Sequence, residues 1–334
     1  MKTTNVFPIL AIAIAACGTA SAQESARRVK LATLAPRGSS IHQILQAMGE
    51  KWRQAPGGGA NLTIYTDGTM GGEAEVVRRM RVDQVQASLL TVAGLAQIDQ
   101  SVTALQYMPM VFRSLDEVDY VRERLRPLID KRLEEQRMVA LFWGDAGWVR
   151  FFSTKPVTRP DDAKKLKMFV LSSGVSQIDL MKSAGFHAVP LEYTDTFTGL
   201  QTGLIELVPT IPFYALAGQF YQSAPYMLEI NYVPLTGGLV MTRKAWDALP
   251  AATREAMRQA ADEAGKKVRE QSRKEMVESV AAMQKRGLKV NTMTPAVEAE
   301  WRSLFESVYP RLRGSMVPAD MFDEVQRLLR EYRK

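Results

Sequence analysis

The sequence predicts an α/β fold of the doubly wound kind, and three observations predict it. Short apolar runs of strand length alternate with longer runs that carry apolar residues at helical spacing. Glycines and prolines punctuate the junctions between them, where turns need them. Within residues 147–212 the order extended segment, helix, extended segment, helix repeats, which is the rhythm of a sheet covered by helices. A chain of 334 residues has room for about two domains of ordinary size.

Residues 29–34 (VKLATL) alternate and end at Ala35-Pro36-Arg37-Gly38, a first strand and its turn. Residues 41–52 place Ile41, Leu45, Met48 and Trp52 on one helical face. Gly57-Gly58-Gly59 lacks the Lys-Ser/Thr of a phosphate loop and reads as a flexible connector to the strand 61–65. Gly71-Gly72-Glu73 starts a helix with an acid in its first turn. Residues 84–91 form a buried strand, and a helix follows from about Ala93. Residues 108–112 are an apolar loop around Pro109, 114–136 a long charged helix, and 139–144 the next strand. Trp148, Val149, Phe151 and Phe152 then lead into the Lys155-Pro156 turn, and Asp161 and Asp162 cap a short turn over 163–166. Residues 167–171 are a strand, with Ser172-Ser173-Gly174 opening a helix. Further on come a strand at 237–242, a helix start at 243–247, and the longest helical pattern at 251–286. Gly287 caps it before a short strand, and helices at 295–306 and 319–333 close the chain.

The composition, 46% hydrophobic and 24% charged, is that of an ordinary globular protein. The net charge of +7 is spread among interleaved acids and bases, so it marks a solvated surface and no nucleic-acid partner. The single cysteine is Cys17; the body of the chain therefore holds no disulfide, thiolate nucleophile or cysteine metal site. His42 and His187 have no metal-ligand companion at helical spacing, and structural or surface roles fit both. There is no nucleophile elbow, Walker lysine or dinucleotide fingerprint. No enzyme and no cofactor is expected.

Residues 1–22 read as an export signal: Lys2 in the n-region, an apolar core over 6–16, and Ala20-Ser21-Ala22 before the cut. The core is shorter than the roughly 20 residues of a membrane span. Ile14-Ala15-Ala16-Cys17 also matches a lipobox, which would anchor the chain through Cys17; cleavage after Ala22 is the preferred reading. The periplasm is the expected compartment.

Six segments in order, Gly71-Gly72-Glu73, Met108–Phe112 (MPMVF), Thr154–Val157 (TKPV), Pro160-Asp161-Asp162, Leu166–Val170 (LKMFV) and Leu200–Gly203 (LQTG), resemble the solute-binding subunits of tripartite (TRAP) transporters of the dicarboxylate-binding type. The resemblance implies a two-lobe periplasmic-binding-protein fold, with crossover strands and a ligand cleft between the lobes. It places 27–146 plus 235–284 in one lobe and 147–234 plus 285–334 in the other. It implies capture of a small molecule by hinge closure and delivery to TRAP membrane subunits, or to a helical-repeat periplasmic partner. An exported scaffold or sensory protein that has lost transport is the alternative.

Family members that bind organic acids clamp the carboxylate with an arginine in the strand after the Asp-Leu-Lys-Gly turn. A guanidinium forks onto a carboxylate through two parallel hydrogen bonds, so the residue type matters. Here Phe169 takes that place. A second family arginine aligns with Val149, with Arg150 next to it, and Thr210 stands where the family has an amide. The resemblance therefore implies a cleft whose ligand is largely apolar or aromatic, or an organic acid if Arg150 takes the clamp role. Trp148, Phe169, Tyr193, Phe213 and Tyr214 are the expected lining, beside Val149, with Thr210 and Glu192 as polar contacts.

Overall fold

The structure, a computed structural model, describes residues 28–172 and 175–334. The leader at 1–22, Cys17 and the Ser173-Gly174 opening lie outside the described residues. The strands are β1 (Arg28–Thr33), β2 (Asn61–Tyr65), β3 (Ala87–Thr91), β4 (Met138–Trp148), β5 (Arg150–Ser153), β6 (Lys167–Leu171), β7 (His187–Leu191), β8 (Leu207–Thr210), β9 (Tyr226–Leu228), β10 (Pro234–Thr242) and β11 (Lys289–Asn291). The helices are α1 (Ser40–Arg53), α2 (Glu73–Arg81), α3 (Val92–Leu95), α4 (Leu115–Glu135), α5 (Pro160–Lys164) and α6 (Val175–Ser183). They continue as α7 (Thr196–Gln201), α8 (Pro212–Ala217), α9 (Arg243–Asp247), α10 (Ala251–Gln284), α11 (Pro295–Leu312) and α12 (Ala319–Tyr332).

Two sheets result. One has five strands in the order β2-β1-β3-β10-β4, the other six in the order β11-β9-β5-β8-β6-β7. The chain leaves the first sheet at the end of β4 and enters the second one residue later as β5; it returns from β9 to β10. These crossovers make both sheets mixed. β10 is antiparallel to β3 and β4, and β5 is antiparallel to β8 and β9, while β1, β2, β3 and β6, β7, β8 pair in parallel. The α/β layering is as expected, and the sheets are mixed because the returning strands enter from the opposite end.

The 34-residue helix α10 bridges the sheets, packing on α1 and β4 at one end and on α8 at the other. At the back, α11 packs on α5 and α6, and α12 packs on α4. One buried cluster runs through both sheets and includes Phe151, Tyr232, Trp301 and Phe305, whose neighbouring rings lie 4.9–5.8 Å apart. Smaller clusters fill the other faces of the two sheets.

Local chemistry explains several boundaries. The Ser114 hydroxyl accepts from the Glu117 N–H (3.2 Å) and starts α4 where the sequence places it. The Asp162 carboxylate accepts from the backbone N–H groups of Thr158 and Arg159 (3.1 and 2.9 Å); α5 consequently begins at Pro160, three residues before the expected turn. β3 starts at Ala87 and not at Gln84, whose N–H closes the α2 turn on the Arg79 carbonyl. β4 reaches Trp148, past Gly144, because β10 pairs with it almost to the crossover. α11 continues beyond Glu306 through Pro310, anchored by buried Val308 and Leu312. Pro56–Gly58 forms a 3₁₀ turn, tied to α10 by the Thr253 hydroxyl on the Pro56 carbonyl (2.5 Å), where a flexible connector was expected. Among the described residues, no helix is long and apolar enough to cross a membrane.

Candidate functional site

Strand register brings the candidate residues to one end of the six-stranded sheet. Arg150 pairs with Thr210 and Phe152 with Val208 across β5 and β8, and Met168 pairs with Leu207 across β8 and β6. Side chains alternate along a strand, so Arg150, Thr210 and Leu171 share one level of one face, with Phe152, Val208 and Phe169 a level behind. Phe169 is buried there, in the apolar layer of Phe152, Val208, Leu200, Ala215 and Phe220.

Arg150 is only 9% exposed. Its Nη1 donates to the Asn231 Oδ1 (2.8 Å), and among the described residues no carboxylate forms an ion pair with it. Burial pulls the guanidinium down to about 10, against the field of exposed Glu229, which leaves it a cation at neutral pH. Trp148 and Val149 precede it on the crossover. The Trp148 N–H points at the Met276 Sδ of α10 (3.3 Å), and the Val149 N–H donates to the Val233 carbonyl (2.9 Å).

An aromatic group stands beside this end. The Tyr193 ring lies 5.7 Å from Tyr214 and 6.2 Å from Phe220, and Phe213 is 5.6 Å from Tyr214. The Thr210 side chain lies near the Tyr193 phenol. Tyr214 lines a cavity of about 70 Å³ walled otherwise by the five-stranded sheet and its loops, α10, and the starts of α1 and α2, including Leu34, Glu73, Leu89, Thr91, Ala146 and Leu235. Burial, then the Glu73 charge, pushes the Tyr107 and Tyr214 phenols up to about 12. Glu73 accepts from the Thr91 N–H and hydroxyl (both 2.6 Å) at the start of α3, and burial raises its carboxyl. Glu192 is exposed and takes a hydrogen bond from the Ser172 hydroxyl.

His187 is exposed at the start of β7, and the His42 Nδ1 accepts from the Gly38 N–H (3.0 Å). Among the described residues, no group of His, Cys, Asp and Glu is arranged to hold a metal ion. Sequence reasoning passed over Asn231, which sits in no motif and whose role exists only through its contacts. It also read Glu73 as a helix start alone, although its place in Gly-Gly-Glu was visible.

The model of the bacterial extracellular solute-binding protein family 7, the DctP family, matches residues 31–314. The chain belongs to this family. DctP-family proteins are solute-binding subunits of transport systems and not enzymes. The C4-dicarboxylate-binding periplasmic protein DctP of Rhodobacter capsulatus is 19% identical over 83% of this chain and 82% of its own. Among solved structures, a TRAP periplasmic solute-binding protein from Sulfitobacter sp. NAS-14.1 with bound β-D-galacturonate superposes with a TM-score of 0.82 at 19% identity, covering 91% of this chain and 99% of that one. One from Shewanella oneidensis with bound succinate also gives 0.82 at 19% identity, covering 90% and 98%. This DctP-family chain shares their two-lobe α/β fold.

Proposed function

We propose that this chain captures a carboxylate with a single acidic group and a largely apolar or aromatic body, and delivers it to TRAP membrane subunits. The observation that carries the reading is Arg150, a buried cation with a neutral partner and no ion pair among the described residues. An uncompensated buried charge is costly, and a carboxylate docking on it with two parallel hydrogen bonds removes that cost. The organic acids named with the solved relatives, a uronate and succinate, support the acid end. Phe169, where the resemblance has the family's clamping arginine, and the Tyr193, Phe213 and Tyr214 group support an apolar remainder. Trp148 and Val149 would flank the clamp, and Thr210 and Glu192 would offer polar contacts.

Closure would turn at Val149 and at residues 231–233, where the crossovers pair with each other. A ligand that neutralises Arg150 favours the closed state because it gains more there than in the open one. Apolar burial adds about 25 cal/mol per Å². Export with cleavage after Ala22 would place the chain in the periplasm. Calorimetric titration with phenylacetate, succinate and D-glucuronate tests the reading. Phenylacetate is expected to bind most tightly and to lose affinity in Arg150→Ala. Tighter binding of succinate or glucuronate overturns the apolar-body assignment.

A further inference from the structure

Among the described residues, Arg150 is held by one side chain, and that side chain is neutral. Asn231 lies between β9 and β10, on the second crossover. Its Oδ1 accepts from the Arg150 Nη1 at 2.8 Å, and its Nδ2 donates to the Arg113 carbonyl at 3.4 Å, just ahead of α4. The two contacts fix which way round the amide stands. A carbonyl only accepts and a guanidinium only donates, so the nitrogen must face Arg113 and the oxygen Arg150. Asn231 is further held by its surroundings: the next residue, Tyr232, accepts from the Met110 N–H through its carbonyl (2.7 Å) and donates to the Val149 carbonyl (3.4 Å). Glu229, the acid whose charge acts on Arg150, is exposed and forms no ion pair with it.

An aspartate has nearly the same shape as asparagine, would reach the same nitrogen, and would neutralise it. The neutral amide orients the guanidinium while leaving its charge and its remaining donors for something else. We propose that Asn231 is a positioning residue for ligand binding: it aims Arg150 at the ligand carboxylate, keeps the cation uncompensated in the empty protein, and ties it to the first lobe through the Arg113 carbonyl. The inference rests on the carboxylate reading of the cleft given above.

The test compares wild type, Arg150→Ala, Asn231→Asp and Asn231→Ala in calorimetric titrations with phenylacetate and its uncharged amide, phenylacetamide, near neutral pH, with thermal melts of each ligand-free protein. In Asn231→Asp the introduced carboxylate pairs with Arg150, so phenylacetate affinity is expected to fall about 30-fold or more while phenylacetamide changes little. The ligand-free melting temperature is expected to stay level or rise. A merely structural role would lower stability and affect both compounds alike. Asn231→Ala should weaken phenylacetate by about tenfold, through loss of orientation alone. If Asn231→Asp binds phenylacetate like wild type while Arg150→Ala loses it, the positioning role is overturned and the carboxylate reading stands. If wild type does not prefer phenylacetate to phenylacetamide, or Arg150→Ala keeps that preference, the carboxylate reading fails and the role of Asn231 with it.

Discussion

Arg122 and Arg150 are both buried arginines close to the crossover, at 2% and 9% exposure, and the protein treats them in opposite ways. Arg122, on α4, pairs with Asp119 at 2.8 Å and with Asp145 at 3.5 Å. Arg273 of α10 joins the same cluster with four hydrogen bonds of 2.7–3.2 Å to Asp119 and Asp145. Asp145, whose side chain is fully buried, lies near the end of β4 and also accepts from the Gly147 N–H (3.2 Å). The cluster therefore locks α4, α10 and the start of the crossover together. Arg150, a few residues on, has only a neutral amide among the described residues. Matched charges fasten the frame, and the unmatched one is where the proposed carboxylate would dock. Burying a charge is tolerable when partners surround it and useful when the missing partner is a ligand.

The largest expected effect comes from breaking the matched side. Asp145→Ala leaves two arginines short of a buried partner and should cost about 3–5 kcal/mol in urea unfolding. On the unmatched side, Arg150→Met should reduce phenylacetate binding by about 2–5 kcal/mol in titration calorimetry. The same variant should leave unfolding stability level, or raise it by about 1 kcal/mol, since no ion pair is lost. A large stability loss there would mean that Arg150 belongs to the frame after all.

Gly147→Ala probes the joint between the two. Gly147 has φ +79°, and an added Cβ would meet the Met276 Sδ at 2.6 Å. That residue geometry disfavours any side chain, and the contact crowds α10, so a loss of about 1–2 kcal/mol is expected in the same unfolding assay. The smallest effect is the pH dependence of the frame. Burial alone would raise Asp119, but hydrogen bonds from Arg273 and the Arg122 charge hold it below its usual 3.8. Glu117 is likewise held below 4.5 against its burial, by Arg333 and the Arg113 N–H. Depressed carboxyl groups stabilise the fold above their unfolded values, and that contribution is lost as pH falls through the folded ones. Melting temperature should therefore drop between about pH 5 and about pH 3, and Arg150→Met should not alter the drop.

Much of this protein is readable residue by residue. The periodicity of 41–52 and 251–286, the Ser114 cap, the apolar run Lys167–Leu171 and the Gly287 stop each specify a local structure through side-chain spacing, a hydroxyl or a positive φ, and the elements formed within a few residues of those places. Short strands such as Tyr226–Leu228 carried no such mark, because three residues hold too little pattern to stand out. The ordered motifs carried the family and the two-lobe fold. They also single out Phe169, Arg150 and Thr210 together.

What the sequence by itself determined is the set of local elements, since capping, turn chemistry and apolar spacing act between neighbours in the chain. Only the tertiary structure decided which buried arginine is paired. Asp119 and Asp145 reach Arg273 across more than a hundred residues, and Asn231 reaches Arg150 across 81. Whether a charge is neutralised depends on what lies a few ångströms away in space, and strand register with the crossover, not chain spacing, sets those distances.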